Sequence, residues 1–197
     1  MSEKQAKTNR FRMIVNFLGP FIGLLLVVAI FSLLPQVQDR FLRLGNFKSV
    51  ATQSVIVALG ALGMTLIIIS GGIDLSAASN IALSSCVVAF VIEAGIPPLW
   101  GILAGIATGG LIGLINGALI TRLRLVPFIV TLGMLGIARG VAKWMAGNQK
   151  IDAPITWVNE LMARSPSTSW MLVAPGVWLM LLLAVVMAVV LRHTVFG

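Results

Sequence analysis

The residues best suited to chemistry lie at 66–79, where the sequence reads LIIISGGIDLSAAS. Here Asp74 and two glycines, Gly71 and Gly72, separate two apolar runs. A carboxylate within a bilayer is costly, so it normally faces a cavity, a charged partner or a helix end. Two compatible interpretations stay open. Asp74 or Ser76 caps the helix that follows, or the helix breaks inside the membrane and Asp74 lines an aqueous cavity.

Three carboxamides are further candidates for such a path, and they are Asn116, Asn80 and Gln53. A polar group at this depth requires a partner, which either a neighbouring helix or a path through the protein could provide. Arg139 is a second costly charge, because it lies deep within an apolar run. It either extends towards the nearer membrane surface or pairs with a carboxylate such as Asp74.

The sequence lacks the common catalytic and metal-binding motifs. It has no GxxxxGK[ST] nucleotide-binding loop, no HExxH and no CxxC. His193 is the only histidine and Cys86 the only cysteine, so neither a histidine metal site nor an intramolecular disulfide is expected. We therefore predict no catalytic site, metal or cofactor. Any uphill transport must draw its energy from an ion gradient or from another subunit.

The composition is that of a membrane protein. Of 197 residues, 58% are hydrophobic and 10% are charged, against about 25% charged residues in soluble domains. The net charge of +8 does not indicate nucleic-acid binding, because the basic residues flank apolar runs and form no stripe with aromatics. This placement is typical of contact with anionic lipid headgroups.

Apolar runs predict the helices that must position these groups. Crossing a hydrocarbon core of about 30 Å requires about 20 apolar residues. We expect an all-α integral membrane bundle of about six transmembrane helices, with a broken or re-entrant element near Gly71–Ser76 and a short helix near Trp157–Met162. Lys and Arg are more frequent in the segments that a cytoplasmic N-terminal tail, 1–16, would place inside. The predicted spans are 17–34, 49–70, 75–92, 99–121, 127–147 and 170–191.

Glycines recur at every fourth position of the fourth span. Such spacing on an α-helix produces a groove without side chains, and membrane helices associate where small residues let their backbones approach. We therefore expect a helix-packing seam along Gly101, Gly105, Gly109, Gly113 and Gly117.

Three sequence blocks resemble the permease subunit of bacterial ABC importers for monosaccharides, the ribose, xylose, arabinose and galactose class. They are ALGALGMTLIIISGGIDLS, INGALITRLRLVPFIVTLGMLGIARG and LRHTVFG, in the family's order and spacing. The first block matches through Gly71, Gly72, Ile73, Asp74, Leu75 and Ser76. The second matches through Asn116, Gly117, Pro127, Phe128, Thr131 and Arg139.

The resemblance implies a transporter subunit of the bacterial inner membrane that works by alternating access. A second permease copy, identical or different, a periplasmic sugar-binding protein and a cytoplasmic ATPase would be its partners. The chain departs from the family's pattern at 77–79 and at Val195, and it covers only the first part of a typical member. We therefore expect an incomplete permease domain that lacks the ATPase-docking segment and the C-terminal spans.

Several alternatives stay open at this point. A second chain could complete the permease, or the cargo could be a related small polar solute such as inositol or an autoinducer. The chain could instead be a non-transporting fragment, a structural membrane protein or a carrier driven by an ion gradient.

Overall fold

The computed structural model describes residues 18–19, 21–163 and 172–193. Over these residues the regular secondary structure is entirely helical, and the chain divides into two compact units after Val50. The predicted tail 1–16, the first residues of the last predicted span and Val195 lie outside the described residues. The helices are α1 (Phe21–Leu33), α2 (Gln38–Phe41), α3 (Leu44–Ile69), α4 (Ala77–Glu93), α5 (Pro98–Arg122), α6 (Pro127–Met145), α7 (Trp157–Glu160) and α8 (Pro175–His193).

The first unit is organised around one aromatic side chain. The ring of Phe41 stacks on Phe31 at a centroid distance of 5.5 Å and lies 6.5 Å from Phe47. The Asn46 side chain donates a hydrogen bond of 2.9 Å to the Phe41 carbonyl. These contacts join α1, α2 and the start of α3.

The second unit is built on three helices, because α4 packs against both α5 and α6. Its core consists of Leu83, Ile112, Met134, Ala138 and Ala142. A smaller cluster of Val55, Ala174 and Val177 joins α3 to the start of α8.

Each of the six predicted spans contains an apolar helix. Among the described residues, α3, α5, α6 and α8 are long and apolar enough to cross a membrane, and α6 is the least apolar of them. The helices α1 and α4 are shorter. With 17 residues, α4 is about 25 Å long, which is less than a hydrocarbon core. The predicted fold class, an all-α membrane bundle, is confirmed.

Large apolar side chains cover the outside of the helices, as lipid contact requires. Val57, Leu114 and Trp144 expose 73%, 69% and 81% of their surface.

The short helix α7 forms inside the predicted segment, where the Asn159 side chain accepts a hydrogen bond of 2.8 Å from the Thr156 N–H. This bond satisfies a backbone donor at the beginning of the helix.

Candidate functional site

The site begins where α3 ends. Gly71 adopts a left-handed conformation with φ +80°, which residues with a Cβ rarely adopt. Its N–H donates a hydrogen bond to the Ile68 carbonyl, and the Gly72 N–H donates one to the Ile67 carbonyl, both at 2.9 Å. These two bonds form a Schellman motif, which satisfies carbonyls that the end of a helix leaves free. The helix therefore stops at this glycine, and a non-helical segment leads to α4.

Asp74 organises this segment, which we call the break (Ser70–Ser76). Its Oδ1 accepts hydrogen bonds from the Ser76 N–H at 2.7 Å and from the Ser76 hydroxyl at 2.6 Å. The Ser76 carbonyl then accepts the N–H of Asn80 at 2.8 Å, which is the first helical bond of α4. The carboxylate thus satisfies the backbone and side-chain donors of Ser76, the residue just before the helix, in a local turn. The predicted side-chain cap is not formed, because Ser76 makes no side-chain hydrogen bond to the first turn of α4.

Asn116 on α5 extends this network across the bundle. Its Nδ2 donates a hydrogen bond of 3.0 Å to the Ser76 hydroxyl oxygen. Because that hydroxyl already donates to Asp74, it accepts from Asn116, and this fixes the orientation of the carboxamide. Ser76 is fully buried and Asn116 is 6% exposed, yet the Asn116 Oδ1 is buried without a hydrogen-bond partner in the described part of the chain.

Thr131 holds the other side of the break. This residue on α6 is 2% exposed, and its hydroxyl lies 3.2 Å from the Ile73 carbonyl and 3.0 Å from the Pro127 carbonyl. The break therefore contacts both α5 and α6. Asn116 lies six residues before α5 ends at Arg122, so the contact is about 9 Å inside the end of that helix.

Two cavities adjoin the break. The first, which we call the break cavity, has a volume of about 430 Å³ and includes Asp74, Asn116 and Thr131 in its wall. The second, the groove cavity, has a volume of about 610 Å³ and lies between α3, α4 and α5. Asp74 and Ile67 line both cavities. Asp74 therefore borders both spaces.

The glycine stripe of α5 serves two environments. A Cβ on Gly105 would lie 2.6 Å from the Val88 side chain, and one on Gly101 would lie 3.3 Å from the Val88 carbonyl oxygen. Gly109 is in ordinary contact range of α4. By contrast, a Cβ on Gly113 or Gly117 would meet nothing within 4 Å, and both residues line the break cavity. The stripe thus packs against α4 at three positions and faces open space at two.

The remaining predicted residues lie in different places. Asn80 lines the groove cavity, and its Nδ2 lies 3.5 Å from the Gly109 carbonyl. Gln53 is exposed on α3 and is not part of either cavity wall. Phe128 is 47% exposed.

Arg139 lies away from the break. It lines a third concavity, and no ion pair joins it to Asp74, although the structure describes both residues. Of the two interpretations of Arg139 given above, pairing with this carboxylate is therefore not what the structure shows. Among the described residues, neither cavity wall at the break contains Arg or Lys.

Sequence reasoning missed two close contacts. The Thr131 hydroxyl reaches the Ile73 carbonyl across 58 positions of sequence, and no local pattern identifies such a partner. The Gly176 N–H donates a hydrogen bond of 2.7 Å to the Leu161 carbonyl, and a Cβ on Gly176 would lie 2.7 Å from that oxygen. The one sequence signal for this close backbone contact was the glycine that follows Pro175.

The arrangement offers hydrogen-bond acceptors rather than catalytic groups. Among the described residues, no group of three or more His, Cys, Asp or Glu is placed to hold a metal ion. The carboxylate of Asp74 and the unpaired Oδ1 of Asn116 both lie at the break cavity. The partly buried Asp74 carboxylate can accept hydrogen bonds from water or from a hydroxylated solute, whereas the buried Asn116 Oδ1 can do so only when its carboxamide turns towards the cavity.

The chain is similar in sequence to known transport permeases. Residues 46–197 match the family described as "Branched-chain amino acid transport system / permease component". The ribose import permease protein of Bacillus subtilis is 37% identical over 145 residues, which are 72% of this chain and 44% of that protein. The autoinducer 2 import system permease protein of Yersinia enterocolitica is 31% identical, covering 89% of this chain and 48% of its own length.

The ribose import permease protein of Escherichia coli K12 is 30% identical over 89% of this chain and 54% of its own length. The chain therefore spans about half the length of the curated relatives it matches. No solved structure matches the chain. The resemblance to permeases of ABC importers is confirmed, and with the apolar helices it identifies a multi-pass membrane protein. The chain belongs to the transport-system permease family that its residues 46–197 match.

Proposed function

We propose that this chain is part of the membrane-spanning permease of an ABC importer that carries a monosaccharide into the cytoplasm. Membership of the permease family and the similarity to two ribose import permeases support this proposal. Since the chain spans about half the length of these relatives, transport is proposed for an assembly to which the chain contributes an incomplete transmembrane domain. A cytoplasmic ATPase, a periplasmic sugar-binding protein and a second permease copy would complete that assembly.

The orientation we propose has the N-terminus in the cytoplasm and six spans in the bacterial inner membrane. The contact between Thr131 and Ile73 brings the break to the same end of the bundle as the connection between α5 and α6. That connection carries Arg122 and Arg124. Because basic residues favour the cytoplasmic side, the break cavity would open towards the cytoplasm.

The observation that carries the proposal is the polar network at the break. An unpaired buried acceptor costs about 1–3 kcal/mol, so the Asn116 Oδ1 requires a donor. The break cavity has a volume of about 430 Å³, whereas one water takes up about 30 Å³. Because this oxygen is buried, a turn of the carboxamide towards the cavity would let water or a solute hydroxyl supply the hydrogen bond, and Asn116 and Asp74 would lie beside the path of a neutral polyol.

Backbone satisfaction makes a break at this depth tolerable. Non-helical backbone inside a membrane persists only where it is buried in protein or lines a cavity. Gly71 and Gly72 close the end of α3, Asp74 bonds the segment before α4, and Thr131 reaches the Ile73 carbonyl. We propose that the break acts as the hinge when ATPase closure changes how two permease copies pack.

Reconstitution tests this function. The chain is purified from native membranes together with its ATPase and with any chain that completes the permease domain, placed in proteoliposomes with the sugar-binding protein, and assayed for uptake of labelled ribose. We expect ATP-dependent uptake that Asn116→Leu abolishes while the helix content is unchanged. Thr65→Val is the matched control, because the Thr65 hydroxyl is exposed and bonds only the carbonyl one turn earlier among the described residues.

Other outcomes identify the alternatives. Uptake driven by an ion gradient without ATP would establish a secondary carrier. ATP-dependent uptake of autoinducer 2 and not of ribose would establish a related solute as the cargo. Failure to retain an ATPase, together with absent uptake, would establish a membrane component that does not transport by itself.

A further inference from the structure

A third concavity lies at the C-terminal end of α6, away from the break. Its volume is about 540 Å³. We call it the basic concavity, because Arg139 and Lys143 are its charged wall residues. Asn148 and Gln149 contribute carboxamides, and four small residues complete the wall: Ala82, Cys86, Ala142 and Ala146.

Within the described part of the chain, no acidic side chain forms an ion pair with the two cations in this wall. Arg139 and Lys143 are four residues apart, so they lie on one face of the helix. Both are exposed, and none of the residues that line the concavity is acidic. The ion pair found among the described residues joins Lys150 to Asp152, neither of which lines the concavity.

The helix dipole does not account for both charges. Basic residues in the last turn of a helix are favoured by the partial negative charge there, and this explains Lys143. It does not explain Arg139, which lies six residues, about 9 Å, before α6 ends at Met145. The terminal carbonyls are also satisfied, because the Gly147 and Asn148 N–H groups bond the Trp144 and Lys143 carbonyls. The two side chains are thus free to meet an external anion.

The surroundings of the concavity indicate a membrane interface. The neighbouring Trp144 exposes 81% of its surface, and exposed tryptophans are enriched at the depth of lipid headgroups. α6 is itself one of the helices able to span a membrane. A long Arg or Lys side chain at such a position extends towards the interface, where phosphates are the available anions.

We propose that the basic concavity binds the phosphate of an anionic phospholipid. The Arg139 guanidinium can donate two parallel hydrogen bonds to phosphate oxygens, and the Lys143 ammonium adds a second positive charge. Asn148 and Gln149 supply further donors. The small apolar residues of the wall, such as Ala82, leave room for the glycerol and the first acyl carbons, which a free phosphate lacks. The proposal does not depend on what the protein transports.

Native mass spectrometry of the full chain in detergent tests this site. The probes are phosphatidylglycerol, phosphatidylcholine and inorganic phosphate. We expect the chain to retain one phosphatidylglycerol in preference to phosphatidylcholine. A solvent-exposed ion pair changes affinity by up to about fivefold. Lys143→Gln should therefore weaken binding about fivefold, and Arg139→Gln/Lys143→Gln about 30-fold. Lys150→Gln, which removes the same charge at the same end of α6, should weaken it less than twofold.

Three results would overturn the proposal. Equal retention of both lipids would exclude charge recognition. Equal weakening by Lys143→Gln and Lys150→Gln would show a diffuse attraction instead of a site. Displacement of the lipid by inorganic phosphate at the same concentration would identify a free-anion site. Circular dichroism checks the fold of each variant, and the single exposed substitution Lys143→Gln keeps the test decisive if the double variant misfolds.

Discussion

The contact between α4 and α5 permits a sharp test of how these helices associate. A Cβ added at Gly105 would lie 2.6 Å from Cγ2 of Val88 and 3.4 Å from the Ser84 carbonyl oxygen. Val88 cannot easily rotate away, because a β-branched side chain in a helix has one strongly preferred rotamer. The substitution Gly105→Ala must therefore push the two helices apart.

The magnitude follows from two opposing terms. Overpacking of this kind costs about 1–3 kcal/mol, whereas Gly→Ala in a helix interior gains about 1 kcal/mol. Gly113 lies on the same helix two repeats further on, and a Cβ there would meet nothing within 4 Å. Gly113→Ala should therefore gain the helix term alone. We expect Gly105→Ala to be about 1–3 kcal/mol less stable than Gly113→Ala.

Reversible unfolding in mixed detergent and SDS micelles, followed by far-ultraviolet circular dichroism, measures this difference. Combining Gly105→Ala with Val88→Ala removes the colliding methyl group, so the double variant should recover part of the lost stability. Equal stability of Gly105→Ala and Gly113→Ala would refute the reasoning, because the close approach would then carry no energetic weight.

Three further predictions concern other close contacts. Gly176→Ala should lower the unfolding midpoint in SDS, because its Cβ would lie 2.7 Å from a backbone oxygen that cannot rotate away; an unchanged midpoint would contradict this. Ser76→Ala should lower the free energy of unfolding by about 1–3 kcal/mol, because it leaves the buried polar partners of Ser76 unsatisfied. Ser79→Ala loses only a hydrogen bond within its own turn and should lower it less. Equal losses would contradict the network. In a Cys86→Ala background, Asp74→Cys should react with a water-soluble thiol reagent and the buried Ser79→Cys should not; full protection of Asp74→Cys would place the position away from water.

The elements could be predicted from the sequence because hydrophobic length decides them. The fourth span was expected at 99–121, and α5 occupies Pro98–Arg122. The second was expected from Ser49, yet α3 begins at Leu44. The polar residues Asn46 and Lys48 end the apolar run but not the helix, since the backbone hydrogen bonds of a helix do not require apolar side chains. Hydropathy therefore located the helices better than it located their ends.

The sequence could not show which glycines of the stripe contact α4, because this depends on the residue at which α4 begins. Moving four residues forward along α5 moves the contact about four residues back along α4. Gly105 thus faces Ser84 and Val88, and Gly109 faces Asn80 and Ser84. The next step brings Gly113 to the break, where α4 has not yet begun. The spacing of the glycines was evident from the sequence, but the first residue of the partner helix α4 was not.

The polar network was equally inaccessible to local patterns. Ser76 and Asn116 are 40 positions apart in sequence. Ser76 was predicted as a candidate helix cap and Asn116 as a candidate path residue, and no local pattern connected the two. Burial explains why they pair: water does not reach either side chain, so each needs a hydrogen-bond partner within the protein. The sequence also allowed a pair between Arg139 and Asp74, and no such ion pair forms between these two described residues.

The shared wall of the two cavities has a mechanical consequence. Ile67 and Asp74 border both spaces, and neither side chain turns freely. Ile67 is a β-branched residue within α3, and two hydrogen bonds from Ser76 hold the Asp74 carboxylate. The partition between the two spaces is therefore stiff, and one space can grow at the expense of the other only when the end of α3 or the break itself moves.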